Sequence, residues 1–134
     1  MRGFHDAWQD KFGAKLVGQG TMRGSLYDLG NYPGVKIAAD GSDDFVMGEL
    51  YQLRHPERAI SILDGYEGYS PSAPLKSLFI RDLVAVTLEG GQRTVAWVYL
   101  YNRPVSHAKL IPSGNYRDRI FARLSNSCRI ARSF

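Results

Sequence analysis

Two long runs of strand-forming residues flank the pair Gly90-Gly91, and they constrain the fold more than any other feature of this sequence. The runs are LFIRDLVAVTLE (78–89) and QRTVAWVYLYN (92–102), and both are rich in β-branched and aromatic side chains. Glycine readily adopts the backbone conformations that tight hairpin turns require, so a glycine pair between two such runs favours a turn. The sequence therefore predicts a long antiparallel hairpin over residues 78–102.

Two further strands are predicted nearer the N-terminus, and each contains a glycine. TMRGSLYDL (21–29) alternates in polarity as a half-buried strand does, and FVMGELYQL (45–53) repeats the alternation after a polar loop. Between these strands, NYPG (31–34) is typical of a turn. The glycines inside the strands, Gly24 and Gly48, commonly mark bends or close backbone approach, so the pattern favours a small curled sheet.

Helical spacing is confined to short segments of the chain. Phe4, Trp8 and Phe12 are four residues apart, which predicts a helix over 4–12. Pro56 favours the start of another helix, because the missing N–H of proline costs nothing in the first turn. The apolar side of that helix comprises Ala59, Ile60, Leu63 and Tyr66, with Gly65 or Gly68 at its end. Together with the strands, these helices predict an α+β domain whose sheet is mixed, mostly antiparallel and inclined towards a small barrel.

The formal net charge of +4 is concentrated at the C-terminal end. Five of the 17 Lys and Arg residues but only one of the 13 acids lie in 117–134, which leaves twelve of each sign in residues 1–116. Proteins that bind nucleic acid usually spread basic side chains over a folded face, so the balanced body argues against that function. Apolar residues in the last segment recur at helical spacing, namely Ile120, Phe121, Leu124 and Cys128. We expect one domain over 1–116 and a basic helix or tail over 117–134, either solvated or docked on an acidic partner.

The sequence shows no sign of secretion or membrane insertion. Its start, MRGFHDAWQDKFG, lacks the apolar stretch of a secretory signal, and no segment approaches the ~20 apolar residues that span a bilayer. The single Cys128 cannot form an intrachain disulfide. We therefore predict a soluble, cytoplasmic protein without a membrane partner.

Glu67 stands between two tyrosines and two glycines in LDGYEGY (63–69), where the second predicted helix ends. It follows Leu63 by four residues, so it shares the buried face if the helix persists that far. Desolvation disfavours the charged form of a carboxyl group, which suits a group that accepts and returns a proton near neutral pH. The alternative is a glutamate that caps the helix or bonds to the backbone, and the residues alone leave both interpretations open.

Other reactive side chains point to no metal site and no hydrolase triad. His5, His55 and His107 are scattered singly, without the spacing of metal ligands. Cys128 has no cysteine partner and is better explained as a small buried apolar residue. Ser113 lies in a Pro-Ser-Gly sequence typical of a turn.

Five blocks occur in order along the chain: GSLYDLGNYPG (24–34), MGELYQL (47–53), LDGYEGY (63–69), AWVYLYN (96–102) and IPSGNY (111–116). Together they resemble the gamma-glutamylcyclotransferase-like superfamily, in particular its gamma-glutamylamine cyclotransferase type. The resemblance implies a small mixed barrel with flanking helices, no cofactor, and release of 5-oxoproline from a small-molecule γ-glutamyl compound. It assigns Glu67 as the proton carrier, and it suggests that Tyr101 and the Pro33-Gly34 turn border the substrate cavity. For Tyr101, aromatic core packing is an equal alternative.

The implied chemistry explains how one acid suffices. The α-amine of the substrate attacks its own γ-amide carbonyl, so the tethered nucleophile replaces one supplied by an enzyme. A single carboxylate can accept a proton from the α-ammonium and then deliver one to the departing amine. Glu67 is the residue that the resemblance assigns to both steps.

The sequence departs from the family pattern at one point. Family members begin with a strand and a Tyr-Gly-Thr/Ser-Leu loop that holds the γ-glutamyl group, and the 134 residues do not include this loop. We expect either that the assigned start is an internal methionine or that the chain is a diverged, catalytically silent binding or interaction domain. Without that strand we also expect an open sheet edge that favours homo-oligomers.

Overall fold

Strands form most of the secondary structure in the part of the chain that the structure describes. The computed structural model describes residues 13–30, 32–39 and 41–114, together with the backbone of 120–123 and 129–132. The predicted helix over residues 4–12 lies outside these residues. Within them, no helix is long and apolar enough to cross a membrane.

One α-helix and one short 3₁₀ helix are set among the strands of this part of the chain. The helix α1 runs from Pro56 to Glu67, and the 3₁₀ helix covers Pro74–Lys76. The strands are β1 (Lys15–Asp28), β2 (Pro33–Ile37), β3 (Phe45–Gln52), β4 (Phe79–Leu88), β5 (Arg93–Tyr101), β6 (Lys109–Leu110), β7 (Ile120–Arg123) and β8 (Arg129–Arg132). The predicted α+β class is confirmed.

The eight strands belong to one sheet in the order β2-β1-β3-β7-β8-β5-β4, and β6 pairs with β1. Most pairings are antiparallel, while β3 with β7 and β5 with β8 are parallel. β4 also meets β1 over two residue pairs, Gly20 with Leu88 and Thr21 with Thr87. Backbone pairing between β1 and β4 is confined to these two residue pairs and does not close the sheet. The mostly antiparallel sheet is therefore confirmed, and the predicted small mixed barrel is wrong.

Strand β1 pairs with several other strands, and two of its glycines allow those strands to approach it closely. A Cβ on Gly20 would lie 2.8 Å from Val86 Cγ1, and one on Gly24 would lie 3.0 Å from the carbonyl oxygen of Lys36. Such distances are too short for most side chains, because protein interiors are already close-packed. The close approach predicted for Gly24 is therefore confirmed.

The β4–β5 hairpin is the longest regular ladder of the sheet that the structure describes. Nine residue pairs join the two strands, from Phe79 with Tyr101 to Thr87 with Arg93. The turn is closed by the N–H of Gly91, which donates to the Leu88 carbonyl at 2.8 Å, and Gly91 has a positive φ of 86°. The hairpin predicted from the glycine pair is confirmed.

Successive residues of β5 point to two different clusters of buried side chains. Tyr99 packs with Ala59 and Leu63 of α1, so this face carries the helix. Val98 and Leu100 belong to the second cluster, with Met22, Leu26, Val35, Val46, Leu50, Val86 and Ala96. Burial of Leu63, which is fully buried, contributes roughly 2 kcal/mol to holding α1 on the sheet.

The C-terminal segment contradicts the helix predicted from Ile120, Phe121, Leu124 and Cys128. Residues 120–123 and 129–132 form β7 and β8, which pair with each other and with β3 and β5. The unpaired backbone groups of neighbouring strands favour strand addition, and this tertiary pairing overrides the helical spacing. Leu124 and Cys128 themselves lie outside the described residues.

Candidate functional site

The last turn of α1 carries two buried carboxyl groups. Asp64 is 6% exposed and Glu67 is 8% exposed, and they are the buried acids in the part of the chain that the structure describes. Glu67 follows Leu63 by one turn and lies on the same buried side, as helical spacing dictates. Tyr66 was predicted on this side but is 46% exposed, because the buried stripe runs from Ala59 through Leu63 to Glu67.

The helix ends at Gly68 rather than at Gly65. Gly68 adopts the left-handed conformation with φ 71°, which glycine tolerates better than residues with a Cβ. The N–H of Tyr69 then donates to the Asp64 carbonyl at 2.8 Å, which satisfies one of the carbonyls left open at the helix end. This cap makes Glu67 the last residue of α1.

Asp64 binds two side chains of the β4–β5 hairpin. Arg81 donates from Nε to Oδ1 at 2.8 Å and from Nη2 to Oδ2 at 3.3 Å. Tyr99 donates from its hydroxyl to Oδ1 at 2.6 Å. Arg81 and Tyr99 are directly opposite each other in the β4–β5 ladder, so the hairpin presents both donors to one carboxylate. The result is an ion pair between a buried carboxylate and a half-buried guanidinium, reinforced by a third hydrogen bond.

Aromatic rings enclose the guanidinium of Arg81. Its central carbon lies 4.3 Å from the ring centroid of Trp97 and 5.6 Å from that of Tyr69. A cation above a ring face is stabilised by the quadrupole of the ring. Burial alone would lower the pKa of Arg81, but the hydrogen bond and negative charge of Asp64 hold that pKa above its usual value.

Tyr99 keeps its proton under all ordinary conditions. Burial, followed by the hydrogen bond to Asp64 and the charge of Asp64, raises the pKa of Tyr99 far above its usual value, and Arg81 only partly offsets this. The charge of Glu67 acts in the same direction. Tyr99 therefore serves as a hydrogen-bond donor to Asp64.

Strands β2 and β5 carry the three residues that were predicted to border the substrate cavity, namely Pro33, Gly34 and Tyr101. A Cβ on Gly34 would lie 3.0 Å from Cβ of Tyr101 and 2.7 Å from Cδ1 of Leu29, so β2 and β5 are in close contact there. Pro33 and Gly34 are buried and form the start of β2, so the predicted turn ends at Tyr32.

Tyr101 borders an open cavity of about 550 Å³. The cavity is also lined by Asp28, Leu29, Gly30, Pro104, His107, Ala108 and Lys109. On its other side the Tyr101 ring meets Phe79 edge to face, with centroids 5.4 Å apart. Phe79 belongs to the same buried cluster as Tyr99, so the two tyrosines share one face of β5. Pro33, Gly34 and Glu67 do not line this cavity.

Sequence reasoning missed the network around Asp64. Asp64 lies within LDGYEGY, and Arg81 is a charged residue in a strand run, but neither position alone points to the other. The sequence carries no signal for the network, because the hairpin register that places Arg81 opposite Tyr99 is known only from the structure.

Potential metal ligands do not cluster in the described part of the chain, where no group of three or more His, Cys, Asp or Glu side chains converges. His107 lines the open cavity and is exposed, while Ser113 lies in a turn as predicted. His5 and Cys128 are outside the described residues.

Comparison with known proteins identifies the family of this chain. The family described as "Gamma-glutamyl cyclotransferase, AIG2-like" matches residues 1–118. The "Gamma-glutamylcyclotransferase family protein YtfP" of Escherichia coli (strain K12) is 31% identical over 107 residues, which cover 79% of this chain and 80% of the relative.

The corresponding protein of Citrobacter rodentium (strain ICC168) is 32% identical over 107 residues, which cover 79% of each chain. No solved structure matches the chain with comparable significance. The family match covers the helix with Glu67 and the hairpin with Tyr99 and Tyr101. On these matches the chain belongs to the gamma-glutamylcyclotransferase-like superfamily.

Proposed function

We propose that this protein is a cyclotransferase that releases 5-oxoproline from a γ-glutamyl amine or peptide, with Glu67 as general acid and base. The observation that carries the proposal is the position of Glu67, a buried carboxyl at the end of α1 on the side of the helix that packs against the sheet, in a chain of this family. A buried acid that exchanges protons is what the cyclisation requires.

The reaction balances without a cofactor. The α-nitrogen of the substrate forms a bond to its γ-carbonyl carbon and closes a five-membered lactam, while the bond from that carbon to the departing nitrogen breaks. The α-ammonium loses two protons in becoming the lactam N–H, and the departing nitrogen gains two and leaves as an ammonium. Because the nucleophile is tethered, its effective concentration can reach roughly 10⁵–10⁸ M, and no enzyme nucleophile is needed.

Glu67 is a better candidate for these proton transfers than its neighbour Asp64. Both oxygens of Asp64 accept hydrogen bonds from Arg81, and Oδ1 also accepts one from Tyr99. A carboxylate held in this way would have to break a buried ion pair before it could take a proton. We therefore assign the transfers to Glu67 and a supporting position to Asp64.

Tyr101 and the Pro33-Gly34 segment are proposed to border the substrate site. Support comes from the close contact between Gly34 and Tyr101. Of the residues assigned to the site, Tyr101 alone lines the open cavity, so the cavity itself does not connect Tyr101 with Glu67. The face of β5 that carries Tyr101 also carries Tyr99, two residues away, and Tyr99 reaches the last turn of α1. A small γ-glutamyl compound is the expected partner, and homo-oligomerisation and a cytoplasmic location stay predictions.

The test is a turnover assay on the purified 134-residue chain with a panel of γ-glutamyl amines and γ-glutamyl peptides. We expect only slow release of 5-oxoproline, together with an equal amount of the free amine, because the 134 residues do not include the Tyr-Gly-Thr/Ser-Leu loop that holds the γ-glutamyl group in family members. Binding of these compounds without any turnover would instead favour the alternative function, a catalytically silent binding domain of the same fold.

A further inference from the structure

Three side chains join the last turn of α1 to the β4–β5 hairpin. Asp64 comes from the helix, Arg81 from β4 and Tyr99 from β5, and the three hydrogen bonds between them measure 2.8, 3.3 and 2.6 Å. Asp64 and Tyr99 are 6% and 1% exposed, so the bond between them is buried, while the two bonds from Arg81 are partly buried. The contacts connect two elements that are far apart in sequence.

This connection acts on the turn that carries Glu67. Residues three apart in a helix lie on the same face, so Asp64 and Glu67 are neighbours in the final turn. Glu67 is also the last helical residue before the Gly68 cap, and terminal helical turns fray unless other contacts hold them. Fixing Asp64 to the hairpin therefore limits the movement of the Glu67 backbone.

A contribution to stability alone does not explain this ion pair. A buried ion pair often adds little net stability, because desolvation of the two charges offsets their attraction. The pair does fix the orientation of the Asp64 carboxylate. Arg81 donates to it from two nitrogens, and the Tyr99 hydroxyl donates to Oδ1 as well. The pair is also neutral overall, so Glu67 does not lie next to an uncompensated anion.

We propose that Asp64, bound to Arg81 and Tyr99, is a positioning residue that holds the Glu67 carboxyl in place for proton transfer. This inference rests on the proposed function and adds a role for residues that do not touch the substrate. Positioning matters because small displacements of a catalytic group, of about 1 Å, can cost roughly 100-fold in rate.

The first test compares Tyr99→Phe with Ser25→Ala. Tyr99→Phe keeps the ring and removes only the 2.6 Å bond to Asp64. Ser25→Ala is the matched control, because it removes a 2.7 Å bond from the hydroxyl of Ser25, on β1 and away from α1, to the Asp44 carboxylate. We expect kcat of Tyr99→Phe to fall about tenfold with KM changed less than about twofold, while Ser25→Ala keeps its kcat.

A triple variant separates positioning from stability. Asp64→Leu with Arg81→Met, introduced into Tyr99→Phe so that no buried hydroxyl loses its partner, replaces the ion pair by apolar side chains, which often restores or increases stability. We expect a folded protein whose kcat is lowered at least as much as in Tyr99→Phe. Wild-type kcat in the folded triple variant or in Tyr99→Phe would overturn the proposal.

Hydrogen exchange distinguishes failure of this inference from failure of the proposed function. If the wild-type chain releases no 5-oxoproline, the proposed function fails, and exchange at the backbone amides of the last turn of α1 then decides whether the turn is held. Faster exchange there in Tyr99→Phe than in Ser25→Ala supports positioning by the Asp64 network. Equal exchange in the two variants would overturn it.

Discussion

The Tyr99 hydroxyl donates a 2.6 Å hydrogen bond to Oδ1 of Asp64, across 35 residues of sequence. This bond connects the β4–β5 hairpin to the turn of α1 that ends with Glu67. It also explains why Tyr99 is buried although it carries a polar group, since buried hydroxyls require a partner. The relationship leads to a prediction about alkaline pH.

Stability should fall above about pH 10 because of Tyr99. The pKa of Tyr99 is raised in the folded protein, so the folded state retains a proton that the unfolded chain loses above the ordinary tyrosine pKa of about 10. The stabilisation is therefore complete below pH 10, and above it this group lowers the free energy of unfolding by about 1.4 kcal/mol per pH unit. Urea denaturation at several pH values should show a shallower decline for Tyr99→Phe. Identical declines would show that Tyr99 also ionises in the folded protein.

Gly68→Ala should lower the free energy of unfolding by about 1–2 kcal/mol, because the left-handed conformation is less favourable by this amount for a residue with a Cβ. Gly65→Ala is the control within the same helix turn, since Gly65 is helical and a Cβ there would meet nothing within 4 Å. We expect that control to stabilise by about 0.4–1 kcal/mol. Chemical denaturation measures both, and equal effects would contradict the assigned cap.

Gly34→Ala should disturb the position of Tyr101. Its new Cβ would lie 2.7 Å from Leu29 Cδ1 and 3.0 Å from Tyr101 Cβ, so we expect about 1–3 kcal/mol of destabilisation from overpacking. If Tyr101 borders the substrate site, KM should also rise. Gly90→Ala, where the added Cβ has open space, should change stability by less than about 0.5 kcal/mol and leave KM unchanged. Unaltered stability and KM in Gly34→Ala would contradict the predicted contact.

Removal of residues 115–134 should destabilise the sheet and promote association. The truncation deletes β7 and β8 and leaves the backbone groups of β3 and β5 that pair with them exposed. Each lost hydrogen bond costs roughly 0.5–1.5 kcal/mol, and unpaired strands favour pairing with other chains. Thermal melting and light scattering measure the two effects, and deletion of residues 133–134 alone is the control. A truncated chain as stable as the full chain, with the same particle mass, would contradict the strand pairing.

The hairpin could be predicted from sequence because its signal is local, but its register could not. The structure closes the turn with a hydrogen bond from Leu88 to Gln92, so three residues lie between them rather than the glycine pair alone. A two-residue turn would place Arg81 opposite Leu100 instead of Tyr99. A shift of one residue reverses the face of a strand, so the Asp64 network depends on a detail of the turn that the motif does not specify.

The helix around Glu67 was predicted from proline, apolar spacing and glycine, and its start and buried face agree with the structure. The exposed position of Tyr66 and the buried position of Asp64 could not be foreseen, because they depend on a partner supplied by β4 and β5. In the C-terminal segment, the helix predicted from apolar spacing is wrong, because strand pairing with β3 and β5 decides the local structure. In both cases tertiary contacts override local preference.

The central claim is that Glu67 carries the protons of the cyclisation, and a comparison of two glutamine variants tests it most directly. Glu67→Gln keeps the size of the side chain but cannot accept a proton, whereas Glu57→Gln makes the same change at an exposed position in the first turn of α1. Both variants should fold.

The measurement is the rate of 5-oxoproline release by the wild type, Glu67→Gln and Glu57→Gln on the same γ-glutamyl substrate. We predict that Glu67→Gln lowers the rate roughly 10²–10⁴-fold, as is typical when a general acid–base group is removed. The rate of Glu57→Gln should stay within about twofold of that of the wild type. Robust activity in Glu67→Gln, equal to that of Glu57→Gln, would contradict the proposed mechanism.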